Sequence, residues 1–396
     1  MHKILVVYGT RPEAIKLAPL IGALRHAPQV ATVVAVTGQH RQMLDQVNSL
    51  FGITPDHDLN IITERQQLEG ITCRAIEGVS AVIAAERPDA VLVQGDTTTC
   101  FAAALAAFYR KVPVIHLEAG LRTGNFYDPF PEEMNRQMVS RLASLHLAPT
   151  RASRRNLLAE GIAEDLISVT GNTVIDALLE VASRGRRFDN PDLAGLDGRR
   201  TILVTAHRRE SWGEPMARAA RAMARIAEAF PNVMLLLPAH LNPAVREVLL
   251  PELSGRHNVL ITEPLGYCDF VNAMLASDIV LTDSGGVQEE APSLGKPVLV
   301  MRETTERPEA VLAGTVRLVG TDEERIVREV TTLLTDRRAY DAMAHAVNPY
   351  GDGHASERCV QAIAHFFGLA ERPLDFDPEG LPQRHGREMK PAALHH

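Results

Sequence analysis

HKILVVYGTRPEAIKLAPLIGALRHAPQVATVVAVT, residues 2–37, holds one full alternation of strand, helix and strand. Lys3–Val7 reads as a strand, Pro12–Arg25 carries apolar residues at helical spacing, and Ala31–Thr37 reads as a second strand. Short β-branched runs joined by longer helical segments are the pattern of parallel strands with crossover helices. The alternation continues with helices at Arg41–Leu50 and Gln67–Glu86, then strands Ala90–Val93 and Val112–Leu117 flanking a helix at Thr97–Arg110. A further helix begins near Pro131, where a missing N–H does no harm.

The stretch GRRFDNPDLAGLDGRR, residues 185–200, mixes Gly, Pro, Asp, Asn and Arg without periodicity and reads as an interdomain linker. Beyond it the alternation resumes, with strands expected at Thr201–Thr205, Val233–Leu237, Val259–Ile261, Ile279–Thr282, Val298–Met301 and Val316–Val319. The fold class is therefore α/β, with two Rossmann-like doubly wound sheets. A first domain is expected over residues 1–172 and a second over 173–353, the linker included, with a helix at about 354–368 packing back on the first. The tail, 370–396, is rich in Pro, Arg, Glu and His and reads as a surface extension.

Composition agrees. At roughly 150 residues per domain, 396 residues make two or three domains, of which two are expected, and 45% apolar with 23% charged residues excludes collagen-like, disordered and coiled-coil classes. With 49 acidic residues against 41 lysines and arginines the net charge is −8, and the pI near 6.0 gives no basic field for nucleic acid. No apolar run approaches the 18 or so residues that span a bilayer, so no membrane partner is expected. The N-terminus enters a strand without signal-peptide features, so a cytoplasmic location is expected. Cys73, Cys100, Cys268 and Cys359 form no C-x-x-C pair and read as buried thiols.

Ligands of doubly wound sheets collect beyond the carboxyl ends of strands, so polar residues just after strands carry the information. After the first strand stand Gly9-Thr10-Arg11-Pro12-Glu13, later Gly95-Asp96-Thr97 and Glu118-Ala119-Gly120. The second half adds Ala206-His207-Arg208-Arg209-Glu210, Ala239-His240 and Asp283-Ser284-Gly285-Gly286. Ser284-Gly285-Gly286 at a helix start could hold a diphosphate on free N–H groups, or Asp283 or Ser284 could be a plain N-cap. Glu290, about a turn further on, could reach ribose hydroxyls or lie in solvent. Arg11 and Lys16 could supply positive charge to a pyrophosphate or be surface charges.

Asp96, Glu118 and Glu132 bring three carboxylates into one half, the first two at the ends of buried strands. Asp96 before three threonines would also make a good N-cap, whereas Glu118 and Glu132 have no comparable capping role. His207 and His240 follow strands of the second half beside Arg208 and Arg209, which suits a phosphorylated sugar. No H-E-x-x-H, G-x-G-x-x-G or Walker A pattern occurs.

Seven blocks then carry a specific resemblance: GTRPEAIKLAPL (9–20), GDTTT (95–99), HLEAGLRTGN (116–125), PFPEEMNRQM (129–138), TGNTVIDAL (170–178), AHRRE (206–210) and DSGGVQEEAPSLGKPVLVMRETTERPEA (283–310). In order and spread over about residues 3–368, they resemble the bacterial non-hydrolysing UDP-N-acetylglucosamine 2-epimerases. The resemblance implies a glycosyltransferase-B architecture whose domains face a cleft, a homodimer, and interconversion of UDP-N-acetylglucosamine and UDP-N-acetylmannosamine. It implies no metal and no nicotinamide cofactor. The family's catalytic carboxylates match Asp96, Glu118 and Glu132, and its catalytic histidine matches His207. Its UDP-binding pattern falls on Arg11, Lys16, His240, Ser284, Gly285, Gly286 and Glu290. Its substrate-activation site falls on Gln39, His40, Gln42, Arg65, Gln66 and Arg208. A hydrolysing relative, a UDP-sugar glycosyltransferase and a non-enzymatic UDP-sugar sensor remain as competing readings.

Overall fold

The computed structural model describes residues 1–38, 41–61, 67–196 and 198–380. These fall into two compact units, Met1–Ser183 with Tyr350–Phe376, and Arg184–Pro349 with the residues from Asp377 onward. The first unit runs β1 (His2–Tyr8), α1 (Arg11–His26), β2 (Val30–Val36), α2 (Arg41–Leu50), β3 (His57–Asp58), α3 (Leu68–Glu86), β4 (Ala90–Gln94), α4 (Thr98–Tyr109), β5 (Val114–Leu117), α5 (Glu132–Leu142), β6 (Leu145–Ala148), α6 (Arg151–Ala159), β7 (Ile167–Val169) and α7 (Thr173–Ser183). Its strands form one parallel sheet in the order β3-β2-β1-β4-β5-β6-β7.

The second unit runs β8 (Arg200–Thr205), α8 (Glu214–Ala229), β9 (Val233–Pro238), α9 (Pro243–Leu253), β10 (Val259–Thr262), α10 (Tyr267–Ala276), β11 (Ile279–Thr282), α11 (Gly285–Ser293), β12 (Val298–Val300), α12 (Pro308–Leu312), β13 (Val316–Leu318), α13 (Glu323–Thr335) and α14 (Arg337–Ala344). Its parallel sheet has the order β10-β9-β8-β11-β12-β13. Helix α15 (Ala355–Phe366) returns to the first unit. Both sheets are doubly wound and Rossmann-like, the two-domain glycosyltransferase-B architecture.

Because both faces of each sheet are covered, central strands are apolar throughout: Ile4, Leu5, Val6 and Val7 of β1 are fully buried. In the second unit one face packs Ile202, Leu235, Ile279 and Leu299 against Met223 and Ile226 of α8 and Ile326 and Val330 of α13. At that rate of burial, roughly 1.5–3 kcal/mol for each large aliphatic side chain, these stripes are the main force holding helices on the sheet.

Sequence and structure differ in a few places. β3, β6 and β7, of two to four residues, are not among the expected strands, because β3 is polar and His146 and Ser168 interrupt the apolar runs of the other two. The units divide after Ser183 rather than after 172, because α7 stays on the first unit, in contact with α1 and α15. The buried Asp176 of α7 accepts the N–H groups of Ala355 at 3.2 Å and Ser356 at 2.7 Å, which ties the start of α15 to that unit.

Residues 185–200 are not a bare linker. They hold a short helical turn with Leu193 and Leu196 buried, and Asp269 of α10 accepts the N–H of Asp189 at 2.8 Å. The tail begins as packed chain as well: Phe376 is buried, its N–H donates to Val169 at 2.7 Å, and Asp375 accepts the N–H of Val169 at 2.9 Å, so it covers the β7 edge. Residues 381–396 lie outside the described residues. Of the four cysteines, Cys100 and Cys359 are buried, Cys268 is partly so and Cys73 is exposed.

Candidate active site

In each unit the strand order reverses beside the first strand, between β1 and β4 and between β8 and β11, the switch points at which doubly wound sheets take ligands. The β1–α1 turn illustrates how close the packing is. A Cβ on Gly9 would stand 2.1 Å from Thr37 Oγ1 and 2.6 Å from Thr99 Oγ1, themselves hydrogen bonded at 2.9 Å. Only glycine fits there. Glu13, fully buried, accepts the N–H groups of Gly9 at 3.0 Å and Thr10 at 2.8 Å and the Thr97 hydroxyl at 2.7 Å, joining this turn to the β4–α4 turn.

Glu118 follows β5 in a left-handed backbone conformation, φ +64°, and is buried. Both its oxygens lie 2.6 Å from Lys16 Nζ; Asn172 donates to it at 3.2 Å and Gln94 donates to it as well. Lys16 is therefore the counter-charge of a buried carboxylate rather than a surface cation.

Asp96 does not cap α4; Thr97 does, its hydroxyl accepting the Cys100 N–H at 3.0 Å. The Asp96 carboxylate takes a 2.6 Å bond from Arg136, whose other arm meets Glu133 at 3.1 Å. Burial holds Asp96 above the usual carboxylate range in spite of Arg136, with the Glu118 charge adding to the shift. Glu132 opens α5, and burial raises its carboxyl too, the Asp96 charge adding to it. Two carboxyls raised by burial beside a third paired with a lysine form an arrangement that can both take and return a proton.

Behind these carboxylates lie His116 and His146, both fully buried and paired across β5 and β6. Burial lowers His116 to about 4 and His146 to about 3. The unfolded chain thus binds more protons than the folded one between about pH 6.5 and 4 at His116 and between about 6.5 and 3 at His146, so both contribute stability that is present at neutral pH and drains as pH falls through those windows. His146→Leu is expected to make the loss of denaturation midpoint from pH 6.5 to 4.5 shallower than in the parent chain.

In the second unit, Asp283 after β11 is the organising group. Buried, it accepts the N–H groups of His207 at 2.7 Å and Arg208 at 2.8 Å, and His207 Nδ1 stands 3.0 Å from its other oxygen. Burial alone would raise it, but these bonds and the His207 ring hold it below the usual range. An aspartate against Nδ1 orients the ring and favours the tautomer with its proton on that nitrogen. The His240 ring stacks on His207 with centroids 5.7 Å apart, and burial together with the neighbouring ring lowers its affinity for a proton.

Ser284 occupies the N-cap position of α11 without a capping side-chain bond, its own N–H donating to Thr282 Oγ1 at 2.9 Å. Gly285 and Gly286 open the helix, and Glu290 is buried rather than solvated, accepting the Tyr267 hydroxyl at 3.1 Å. A Cβ on Gly286 would stand 3.7 Å from Glu290 Oε2, so this carboxylate lies over the first turn. Arg208 pairs with Glu306 at 3.2 Å, and Glu306 also meets Arg302 and Arg307, each at 2.7 Å. Those guanidiniums, Arg307 foremost, offset the burial of Glu306 and pull it down to about 2. The basic face expected from Arg208 and Arg209 is thus partly neutralised.

Residues 22–364 match the family model of UDP-N-acetylglucosamine 2-epimerase. The chain belongs to the UDP-N-acetylglucosamine 2-epimerase family. It is 54% identical over 368 residues to the Escherichia coli K12 protein named UDP-N-acetylglucosamine 2-epimerase, covering 91% of this chain and 98% of that one. The crystal structure of the Neisseria meningitidis UDP-GlcNAc 2-epimerase bound to UDP-GlcNAc has a TM-score of 0.85 at 49% identity, covering 92% of this chain and all of that one. The Methanocaldococcus jannaschii UDP-GlcNAc 2-epimerase, in complex with UDP-GlcNAc and UDP, has a TM-score of 0.77 at 32% identity over 92% of this chain and 99% of that one.

Within this epimerase chain, Arg11, Lys16, Asp96, Glu118 and Glu132 stand in the first unit, and His207, Arg208, His240, Ser284, Gly285, Gly286 and Glu290 in the second. Gln39, His40, Arg65 and Gln66 lie outside the described residues, as does the side chain of Gln42. Sequence reasoning missed Gln94, Asn172 and Arg136 as partners of the carboxylates. Arg136 had a signal, since it lies one helical turn after Glu132 on α5. Among the described residues there is no group of three His, Cys, Asp or Glu able to hold a metal, and no helix long and apolar enough to cross a membrane.

Proposed function

We propose that this chain interconverts UDP-N-acetylglucosamine and UDP-N-acetylmannosamine without hydrolysis, by elimination and re-addition of UDP. The supporting observation is the carboxylate cluster: Asp96 and Glu132 held above the usual range beside Glu118 on Lys16. The proton on C2 is not adjacent to a carbonyl, so its removal needs the C1–oxygen bond to break with it. A base takes that proton, its electron pair becomes the C1–C2 double bond, and the C1–oxygen pair leaves on UDP, giving a 2-acetamidoglucal. Re-addition of UDP at C1, with a proton returned to C2 from the opposite face, delivers the epimer.

Proton delivery to opposite faces requires more than one acid–base group, the role proposed for Asp96, Glu118 and Glu132, with His207 as the fourth catalytic residue. Arg11, Lys16, His240, Ser284, Gly285, Gly286 and Glu290 are proposed to bind UDP, the α11 N–H groups taking the diphosphate. The relatives in solved complexes, named as bound to UDP-GlcNAc or UDP, support that substrate class. The proposal extends to a cytoplasmic homodimer supplying amino sugar for surface polysaccharide.

Product analysis tests it: incubation with UDP-N-acetylglucosamine is expected to yield UDP-N-acetylmannosamine with no stoichiometric free N-acetylmannosamine. Free sugar in step with UDP would make the enzyme a hydrolysing one, and transfer to an acceptor a glycosyltransferase. Regulation is expected as well, with Gln39, His40, Gln42, Arg65, Gln66 and Arg208 holding a second UDP-N-acetylglucosamine. Given UDP-N-acetylmannosamine alone, the reverse reaction should start slowly and accelerate on adding a little UDP-N-acetylglucosamine. Gln42→Ala with Gln66→Ala should blunt that response more than it weakens UDP binding. A hyperbolic reverse reaction that ignores added UDP-N-acetylglucosamine contradicts the second site.

A further inference from the structure

His116 has no part in the chemistry above, yet it is buried in β5 two residues before Glu118, and its Nε2 stands 2.8 Å from the carbonyl oxygen of Gly95. Gly95 is the residue before Asp96, held at φ +71°, and its own N–H donates to Leu117 at 2.9 Å. Gly95 is thus tied to β5 on both sides, its N–H to Leu117's backbone and its carbonyl, which also accepts the Cys100 thiol of α4 at 3.3 Å, to His116's ring.

We propose that His116 is a positioning residue for epimerisation: by donating from Nε2 to Gly95 it fixes the peptide plane before Asp96 and hence the direction of the Asp96 carboxylate relative to Glu118. The proposal rests on Asp96 acting on the sugar. A carbonyl oxygen can only accept, so the ring proton must sit on Nε2. The surroundings keep the ring neutral and so keep that tautomer. Burial disfavours the imidazolium and Arg122 and Arg136 add to this, outweighing the Gly95 carbonyl and the Glu118 charge, which pull the other way; the His146 ring is its register partner on β6.

Arg136 and Asn135 hold Asp96 from the α5 side, Asn135 donating to the Asp96 carbonyl at 2.9 Å, so His116 supplies the restraint from the sheet. Loss of such a restraint leaves ligand contacts in place but misplaces a reacting group, and small misplacements are costly in rate.

Two measurements test the proposal on the full-length protein. His116→Leu, which cannot donate, is expected to lower kcat by about tenfold with KM and UDP affinity within about twofold, and His116→Gln, whose amide nitrogen can stand where Nε2 does, to recover kcat to within about threefold of the parent. Nitrogen-15 NMR of the parent chain is expected to show His116 as the neutral Nε2–H tautomer from pH 8 to pH 5.5. His116→Leu with unchanged kcat, no rescue by His116→Gln, or an Nδ1–H or titrating His116 would each overturn the proposal. If His116→Leu does not fold, the tautomer and the His116→Gln rate decide. A parent chain that turns over no UDP-N-acetylglucosamine removes the functional reading and this proposal with it, whereas an active parent with an unaffected His116→Leu removes this proposal alone.

Discussion

Asp96→Asn, Glu118→Gln and Glu132→Gln will each lower kcat by about 10²-fold or more, the usual scale for loss of an acid–base group. Each replacement keeps shape and hydrogen-bonding capacity while removing the ability to gain or lose a proton, so the fold should survive. For Asp96 the bond from Arg136 persists to the amide oxygen, and for Glu118 those from Asn172 and Lys16 can persist in the same way. UDP affinity should change little, because the proposed diphosphate cradle at Ser284–Gly286 is untouched. Loss appearing in KM rather than kcat would make these residues binding groups, and near-normal turnover in all three at unchanged stability would return them to structural roles.

Lys16→Met will damage both stability and rate. Lys16 Nζ lies 2.6 Å from Glu118, the two side chains being 18% and 6% exposed. Removing one partner of a buried pair leaves the other charge uncompensated, at a cost of about 3 kcal/mol once partial exposure of the lysine is allowed for. The Gln94 and Asn172 amides remain on Glu118 but bring no net charge. A fall in kcat/KM of about 10²-fold should accompany the loss, since the carboxylate form of Glu118 is disfavoured and a cation proposed for UDP is gone. The double variant Lys16→Met with Glu118→Gln should be more stable than Lys16→Met alone, because the orphaned charge is absent from it. Denaturant midpoints decide, and a Lys16→Met loss below about 0.5 kcal/mol with no recovery in the double variant would show the pair to be energetically idle.

The alternation of strand and helix was legible because it is local. All six strands of the second unit and four in the first follow from runs of apolar residues within single windows, and α2 falls on the expected Arg41–Leu50. What escaped has composition or distance as its cause. β3 is wholly polar and β6 and β7 are short and interrupted by His146 and Ser168, so none makes an unbroken apolar run, and 185–200 looked like a linker because its anchor, Asp269, is a helix residue of the following unit. The candidate site was legible in its principal groups, since Asp96, Glu118, His207 and Ser284 follow strands directly.

Their partners were not, because a hydrogen bond leaves no local trace. Arg136 reaches Asp96 across 40 residues of chain, Asn172 reaches Glu118 across 54 and Glu306 meets Arg208 across 98. The capping alternative for Asp96 was plausible from composition and fails on geometry, because the residue one place on, Thr97, has its hydroxyl on the α4 N–H groups. Asp283, which could have been a cap, instead holds His207, a role no single window shows.

The central claim is that this chain breaks and remakes the C2–H bond of a UDP-sugar while retaining it. The most direct measurement incubates the protein with UDP-N-acetylglucosamine in deuterated water and follows the C2 proton by NMR. The C2 signal is expected to disappear from both UDP-sugars as they interconvert, with deuterium at C2 and no accumulation of free amino sugar. Interconversion with the C2 proton fully retained, or turnover without interconversion, would contradict it.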